Sequence, residues 1–114
     1  MVELETKRLD NGVTRLILTG RLDLEGATDI EHQFLAKTST EKDLILVDLS
    51  GVELIASIGM RLLLSGARAQ KQKGGKLVLL CPPSRVHETL VKSGFHQLLT
   101  LVSDEGGALA ALHH

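Results

Sequence analysis

The chain has 114 residues, with 13 Lys and Arg against 14 Asp and Glu and a formal net charge of −1. That is one domain's worth of chain, and its near-neutral balance argues against binding polyanionic nucleic acid or an anionic membrane surface. Two Phe are the only aromatics, so stacking platforms for bases or sugars are scarce, and the lone Cys81 excludes an internal disulfide. No basic leader and no apolar run of about 18 residues is present, so a cytoplasmic protein without membrane insertion is expected.

Val2, Leu4 and Thr6 alternate with Glu3, Glu5 and Lys7, and Asp10-Asn11-Gly12 supplies a turn ahead of Val13 to Thr19. This predicts a hairpin with a half-solvated first strand. Ala27, Ile30, Phe34 and Leu35 recur at helical spacing until Thr38-Ser39-Thr40, predicting an amphipathic helix. Leu44 to Leu49 is apolar except for Asp48, the pattern of a central strand covered on both faces. Helices and strands then alternate. A helix from Ser57 to Lys73 is closed by Gly74-Gly75, and a strand from Leu77 to Cys81 is stopped by Pro82-Pro83. A helix from Ser84 to Ser93 is closed by Gly94, a strand covers Leu98 to Val102, and a short helix starts near Ala108. The order β-β-α-β-α-β-α-β-α predicts a single α/β domain, its sheet mostly parallel with an antiparallel edge hairpin, because strands joined by helices run parallel with right-handed crossovers. The domain is assigned to residues 1–112, with 113–114 read as a tag remnant.

Ser57 opens a helix directly after a strand and a short turn. A helix N-terminus carries unpaired N–H groups and the positive end of the peptide dipole, so Ser57 is either a structural cap or stands where an anion is tolerated. The helix it begins carries Ile58, Met60, Leu62, Leu63 and Leu64, more apolar surface than one core-facing stripe of about 100° requires. Either a second helix covers the excess, or part of it is a docking patch in which flexible Met60 meets another protein. Asp23, at the end of its strand, is placed to cap the first helix.

Catalytic constellations are poor. His32, His87 and His96 fall on three segments with no i, i+4 pair, so neither zinc ligation nor a Cys-His nucleophile is supported. Gly74-Gly75 follows a helix rather than preceding one, and no phosphate-loop motif exists. Cys81 reads as a buried, inert thiol. Arg68, Lys71, Lys73 and Lys76 read as a solvated helix end favoured by the negative dipole terminus. No metal, cofactor or enzymatic activity is expected.

The order D-L-S-G-V-x-x-I-x-S-x-G-M from Asp48 to Met60 resembles the signature of STAS domains, particularly the bacterial anti-sigma-factor antagonists. Leu18 to Asp23 is similar to the family's strand ending in G-x-L-D, Gly74 to Leu79 to its G-G-x-L-x-L strand, and Val91 to Phe95 to its S-G-F/L element. The chain departs from the pattern at Ala56, where members often carry Asp, and at Ile58, where Ser or Thr is usual.

The resemblance implies partner switching. Unphosphorylated, the protein would bind an anti-sigma factor that is also a serine kinase, freeing a sigma factor; phosphorylation at Ser57 would break the complex, and a metal-dependent serine phosphatase would restore it. The contact surface would comprise Asp23, Ile55, Ala56, Ile58, Gly59 and Met60. The rival expectation is a structural STAS subunit, of a stressosome-like scaffold or of an ABC-type lipid-transport complex.

Overall fold

A computed structural model describes residues 2–113; Met1 and His114, the outermost residues of the expected domain and tag remnant, lie outside the described residues. The elements are β1 (Val2–Arg8), β2 (Val13–Leu22), α1 (Leu24–Thr38), β3 (Leu44–Ile55), α2 (Ser57–Lys73), β4 (Lys76–Leu80), α3 (Arg85–Lys92), a 3-10 turn (Phe95–Gln97), β5 (Thr100–Val102) and α4 (Glu105–Leu112). The five strands lie in the order β1-β2-β3-β4-β5, with β1 antiparallel to β2 and every later pair parallel.

Because the parallel strands advance in one direction across the sheet, right-handed crossovers carry α1, α2 and α3 to the same face. Leu16, Ile45, Val47, Leu77 and Leu79 of that face pack beneath Ile30, Phe34, Leu63 and Leu90. Among the described residues the opposite face is covered by α4 alone, with Val13, Leu46, Val78 and Leu80 against Ala108 and Leu112. Both faces of β4 and of the first half of β3, to Leu49, are therefore buried, which is why these segments are nearly continuous apolar runs.

A short helix covers little of a sheet, and polar contacts help to seat α4. Asp104 caps it by accepting from the Gly107 amide at 2.7 Å, Lys76 Nζ donates to the Ala111 carbonyl at 2.7 Å, and Arg15 bridges Glu105 to the buried Asp48. Arg15 stands 2.6 Å from the Asp48 carboxylate. Burial pushes the Asp48 carboxyl up, but its bonds from Ser50 and Arg15 together outweigh that and leave it below the usual carboxylate range.

A second polar tie lies inside the α-helical face. Gln70 is fully buried on α2; its Nε2 donates to the carbonyls of Thr38 and Glu41 at 2.7 and 2.8 Å, and its Oε1 accepts from the Asp43 amide at 2.9 Å. One side chain thus satisfies three backbone groups of the α1–β3 connection. Gly74, at φ 85°, then ends α2 in the left-handed conformation that glycine adopts without strain.

Several boundaries differ from the sequence expectation, β5 among them: it starts at Thr100 rather than Leu98, because Leu98 closes the 3-10 turn. β3 continues past Leu49 to Ile55 because β2 also extends to Leu22 and supplies a partner along that length, through two register shifts. α4 starts at Glu105 rather than near Ala108, since the Asp104 cap outweighs the low helix propensity of Gly106 and Gly107.

Gln70→Leu is expected to lower the unfolding free energy by at least ~2 kcal/mol, since each buried polar group left unpaired costs on the order of 1–3 kcal/mol. Urea denaturation with an unchanged m-value checks this; a loss below ~0.5 kcal/mol would show that the connection is satisfied without Gln70. A pH effect follows from Asp48. Its folded pKa lies below the unfolded value of about 3.9, so its contribution is full above that value and is lost as pH falls through the folded pKa. The acid limb of the stability curve should flatten in Asp48→Asn, and an identical limb in variant and wild type would remove Asp48 from the account.

Candidate functional site

At the C-terminal ends of β2 and β3 two chains leave the sheet side by side. Leu22 is in register with Ile55, and the Ala56 amide donates to the Leu22 carbonyl at 2.9 Å. A helix follows immediately on each. Asp23 and Ser57, 34 positions apart in sequence, thereby stand at neighbouring helix N-termini.

The two termini are finished differently. Asp23 caps α1, its Oδ1 accepting from the Gly26 amide at 2.9 Å, and Glu25 adds a further acid in the first turn. The Gly26 hydrogen bond, with help from Arg21, holds the Asp23 carboxyl below the usual range. At α2 the cap position is Ala56, which has no side-chain acceptor, and no acid occurs in the first turn. Ser57 is the first helical residue rather than the cap, so its hydroxyl does not close the helix as a capping serine would. Of the four α-helices among the described residues, α2 alone lacks both devices: α3 and α4 are capped by Ser84 and Asp104 and carry Glu88 and Glu105. The positive end of α2 is left without a local counter-charge, beside an exposed hydroxyl.

The structure narrows the expected contact surface. Met60 is 6% exposed and Ile55 7%, both within the main core. The docking role expected for Met60 is corrected: α2 is bordered by α1 and floored by the sheet, so its buried arc is wider than a single stripe and takes in Met60, Leu62 and Leu63. Gly59 is buried as well. A Cβ there would lie 2.8 Å from the Leu22 carbonyl oxygen, so Gly59 is a packing residue that lets α2 close on the end of β2. Ala56 and Ile58 are partly exposed, Asp23 likewise, and Ser57 is exposed.

Two large apolar residues outside the expected set are also exposed. Leu24, the first residue of α1, is 68% exposed, and Leu54, near the end of β3, is 37% exposed. Leu24 is foreshadowed by an apolar residue directly after a capping Asp and off the Ala27-Ile30-Phe34 stripe; Leu54 needed the full length of β3. A groove of about 300 Å³ runs between α1 and α2, lined by Ala27, Glu31, Leu35, Ile58, Arg61 and Leu62. No group of three or more His, Cys, Asp or Glu able to hold a metal occurs among the described residues. No described helix is long and apolar enough to cross a membrane.

A family model described as Mlab, STAS domain, matches residues 5–102. The chain belongs to the STAS domain family. It is 27% identical over 101 residues to BtrV of Bordetella bronchiseptica, which carries the name of a proposed anti-sigma factor antagonist, with 89% of this chain and 87% of that one aligned. Its fold is similar to the crystal structure of an anti-sigma factor antagonist from Mycobacterium paratuberculosis, at TM-score 0.89 and 18% identity over 100% and 96% of the two chains. It is also similar to the Bacillus cell fate determinant SpoIIAA in its phosphorylated form, at TM-score 0.63 and 16% identity over 96% and 99%.

Within this STAS domain, Gly59→Ala separates packing from exposure by sign. At an open helical position Ala would stabilise by up to ~1 kcal/mol; here overpacking of about 1–3 kcal/mol is expected to win, lowering stability. Met60→Asp is expected to destabilise by at least ~3 kcal/mol by burying an unpaired charge, while Met60→Leu costs less than ~1.5 kcal/mol. Thermal or urea unfolding measures all three, and a fully stable Met60→Asp would return Met60 to the surface.

Proposed function

We propose that this STAS domain is an anti-sigma-factor antagonist that acts in the cytoplasm by phosphorylation-controlled binding. In this reading the surface of Asp23, Leu24, Leu54, Ala56, Ser57 and Ile58 docks on an anti-sigma factor that is also a serine kinase, releasing a sigma factor. Phosphorylation of Ser57 separates the pair, and a serine phosphatase reverses it. The phosphoryl chemistry belongs to the partners, and this chain contributes a binding surface rather than catalysis.

The observation that carries the reading is an exposed Ser57 at the one α-helix start, among the described residues, with neither a side-chain cap nor a first-turn acid. A phosphoryl group adds about −1.5 to −2 charges. Within the domain that charge meets free N–H groups and a positive dipole end, an interaction favourable by about 0.3 to 1 kcal/mol. Across an interface built on Leu24, Leu54 and Ile58 the same charge must be desolvated, at a cost exceeding the local gain unless the partner provides a cation. The fold should survive modification while the complex does not. The named roles of BtrV and of the mycobacterial protein, and a SpoIIAA structure in phosphorylated form, support the same reading.

Affinity capture from the native cell with Ser57→Ala and Ser57→Asp baits, followed by calorimetry on the retained kinase, tests it. Ser57→Ala should bind and resist phosphorylation. Ser57→Asp should bind at least tenfold more weakly, about 1.4 kcal/mol, with near-normal stability. Equal binding by both, or phosphate found on Ser50, Ser65 or Ser84 instead, would remove the switch. Equal binding within one stable large assembly would favour the structural-subunit reading.

A further inference from the structure

The far half of α2 borders a second concavity that the Ser57 surface does not use. α2 leans on α1, and on its other side a groove of about 510 Å³ opens between α2, the start of β4 and residues 98–100. Its apolar lining is aliphatic: Leu64 and Ala67 from α2, Leu77 from β4, and Leu98 and Leu99 ahead of β5. Leu98 is 60% exposed at its edge. Arg68 and Lys71 line the same groove, and no acidic residue does.

These cations are part of the basic run at the end of α2, and the helix dipole does not explain all of them. Lys71 and Lys73 lie in the last turn, where a cation is favoured; Arg68 lies ahead of that turn and is the one the dipole does not explain. Two carbonyls of the last turn already have partners, since the Gly74 and Gly75 amides donate to those of Gln70 and Lys71. Arg68 and Lys71 make no ion pair among the described residues, whereas Arg8, Arg15 and Arg21 do. Lys76 also lines the groove, but its Nζ is committed to the Ala111 carbonyl on the opposite face of the sheet.

Size selects the kind of ligand. The volume lies within the range of small-molecule sites, about 300–1,000 Å³, and the lining is mostly apolar with a few polar groups, as such sites are. The α2 wall from Leu64 to Lys71 is about 10 Å long. That length holds a medium aliphatic chain but only two turns of a docked helix.

We propose that this groove binds a small anionic amphiphile, an aliphatic chain ending in a carboxylate or phosphate, with the chain along Leu64, Leu77, Leu98 and Leu99 and the anion against Arg68 and Lys71. The assignment is independent of the reading of Ser57.

Titration of the full chain with decanoate, decyl phosphate and decyltrimethylammonium below their micellar concentrations, followed by amide NMR, tests it. Saturable shifts confined to residues around 64–71, 77 and 98–100 are expected with the two anions, the stronger binder distinguishing carboxylate from phosphate. Arg68→Glu with Lys71→Glu should weaken anion binding at least tenfold. Leu98→Gln, at an exposed position, should weaken it severalfold and supplies the test if the double variant does not fold. Absence of saturable shifts, equal binding of the cationic amphiphile, or unchanged affinity in the variants would overturn the proposal. A groove that ignores all three amphiphiles but is protected by a protein partner would overturn it in favour of a protein contact.

Discussion

The constraint that builds the Ser57 surface is the pressing of two helix starts against consecutive carbonyls of β2. A Cβ on Gly26 would lie 1.9 Å from the Arg21 carbonyl oxygen, and one on Gly59 would lie 2.8 Å from that of Leu22. Each glycine is the third residue of its helix, so α1 and α2 are both anchored by the first turn. The Leu22 carbonyl also accepts from the Ala56 amide, which fixes where β3 hands over to α2. Any side chain at these two positions would lift a helix off the sheet end and draw Asp23 and Ser57 apart. The glycine of the S-x-G-M sequence is thus an architectural requirement that reads, in one dimension, like part of a binding motif.

With the two helix starts held together, their electrostatic difference becomes meaningful. α1 spends a carboxylate on its own amides; α2 has alanine at the equivalent place. In the family pattern Asp often stands at that position, and a carboxylate there would compete with any incoming anion for the same N–H groups. Ala56 leaves those groups free. An alanine at this position therefore makes the helix start more receptive to negative charge than an aspartate would.

Much of this was legible in one dimension. Element order, crossover helices and the edge hairpin follow from period-two and period-3.6 patterns with clear glycine and proline stops, because local pattern and global fold agree along most of the chain. Asp23 was identifiable as a cap because capping chemistry is local, whereas Ser57, one of whose expected roles was a cap, is the first helical residue behind Ala56. The burial of Met60 was not legible, since whether an apolar residue on a helix faces out depends on how many neighbours that helix has, and α2 has both α1 and the sheet. Gln70 was invisible for a similar reason: its three partners come from the α1–β3 connection, and nothing in the sequence around 70 announces them. The end of β3 was missed because Ser50 and Gly51 look like a turn, although Gly51 is needed there to let Thr19 of the neighbouring strand approach.

α2 is the element on which both candidate surfaces depend, and its restraints decide whether they communicate. The helix is roughly 25 Å long, so a partner at Ser57 and a ligand beside Lys71 do not collide. Coupling would require α2 to slide or tilt between two arrangements. At its start Gly59 rests on the Leu22 carbonyl with no slack for closer approach. Toward its end Gln70 holds three backbone groups at once, and midway Gly66 faces the Phe34 ring, where a Cβ would come within 2.6 Å. Three restraints of different chemistry along one helix leave no obvious second arrangement of comparable energy. The architecture therefore favours two surfaces that share a helix and act independently, each read by its own partner.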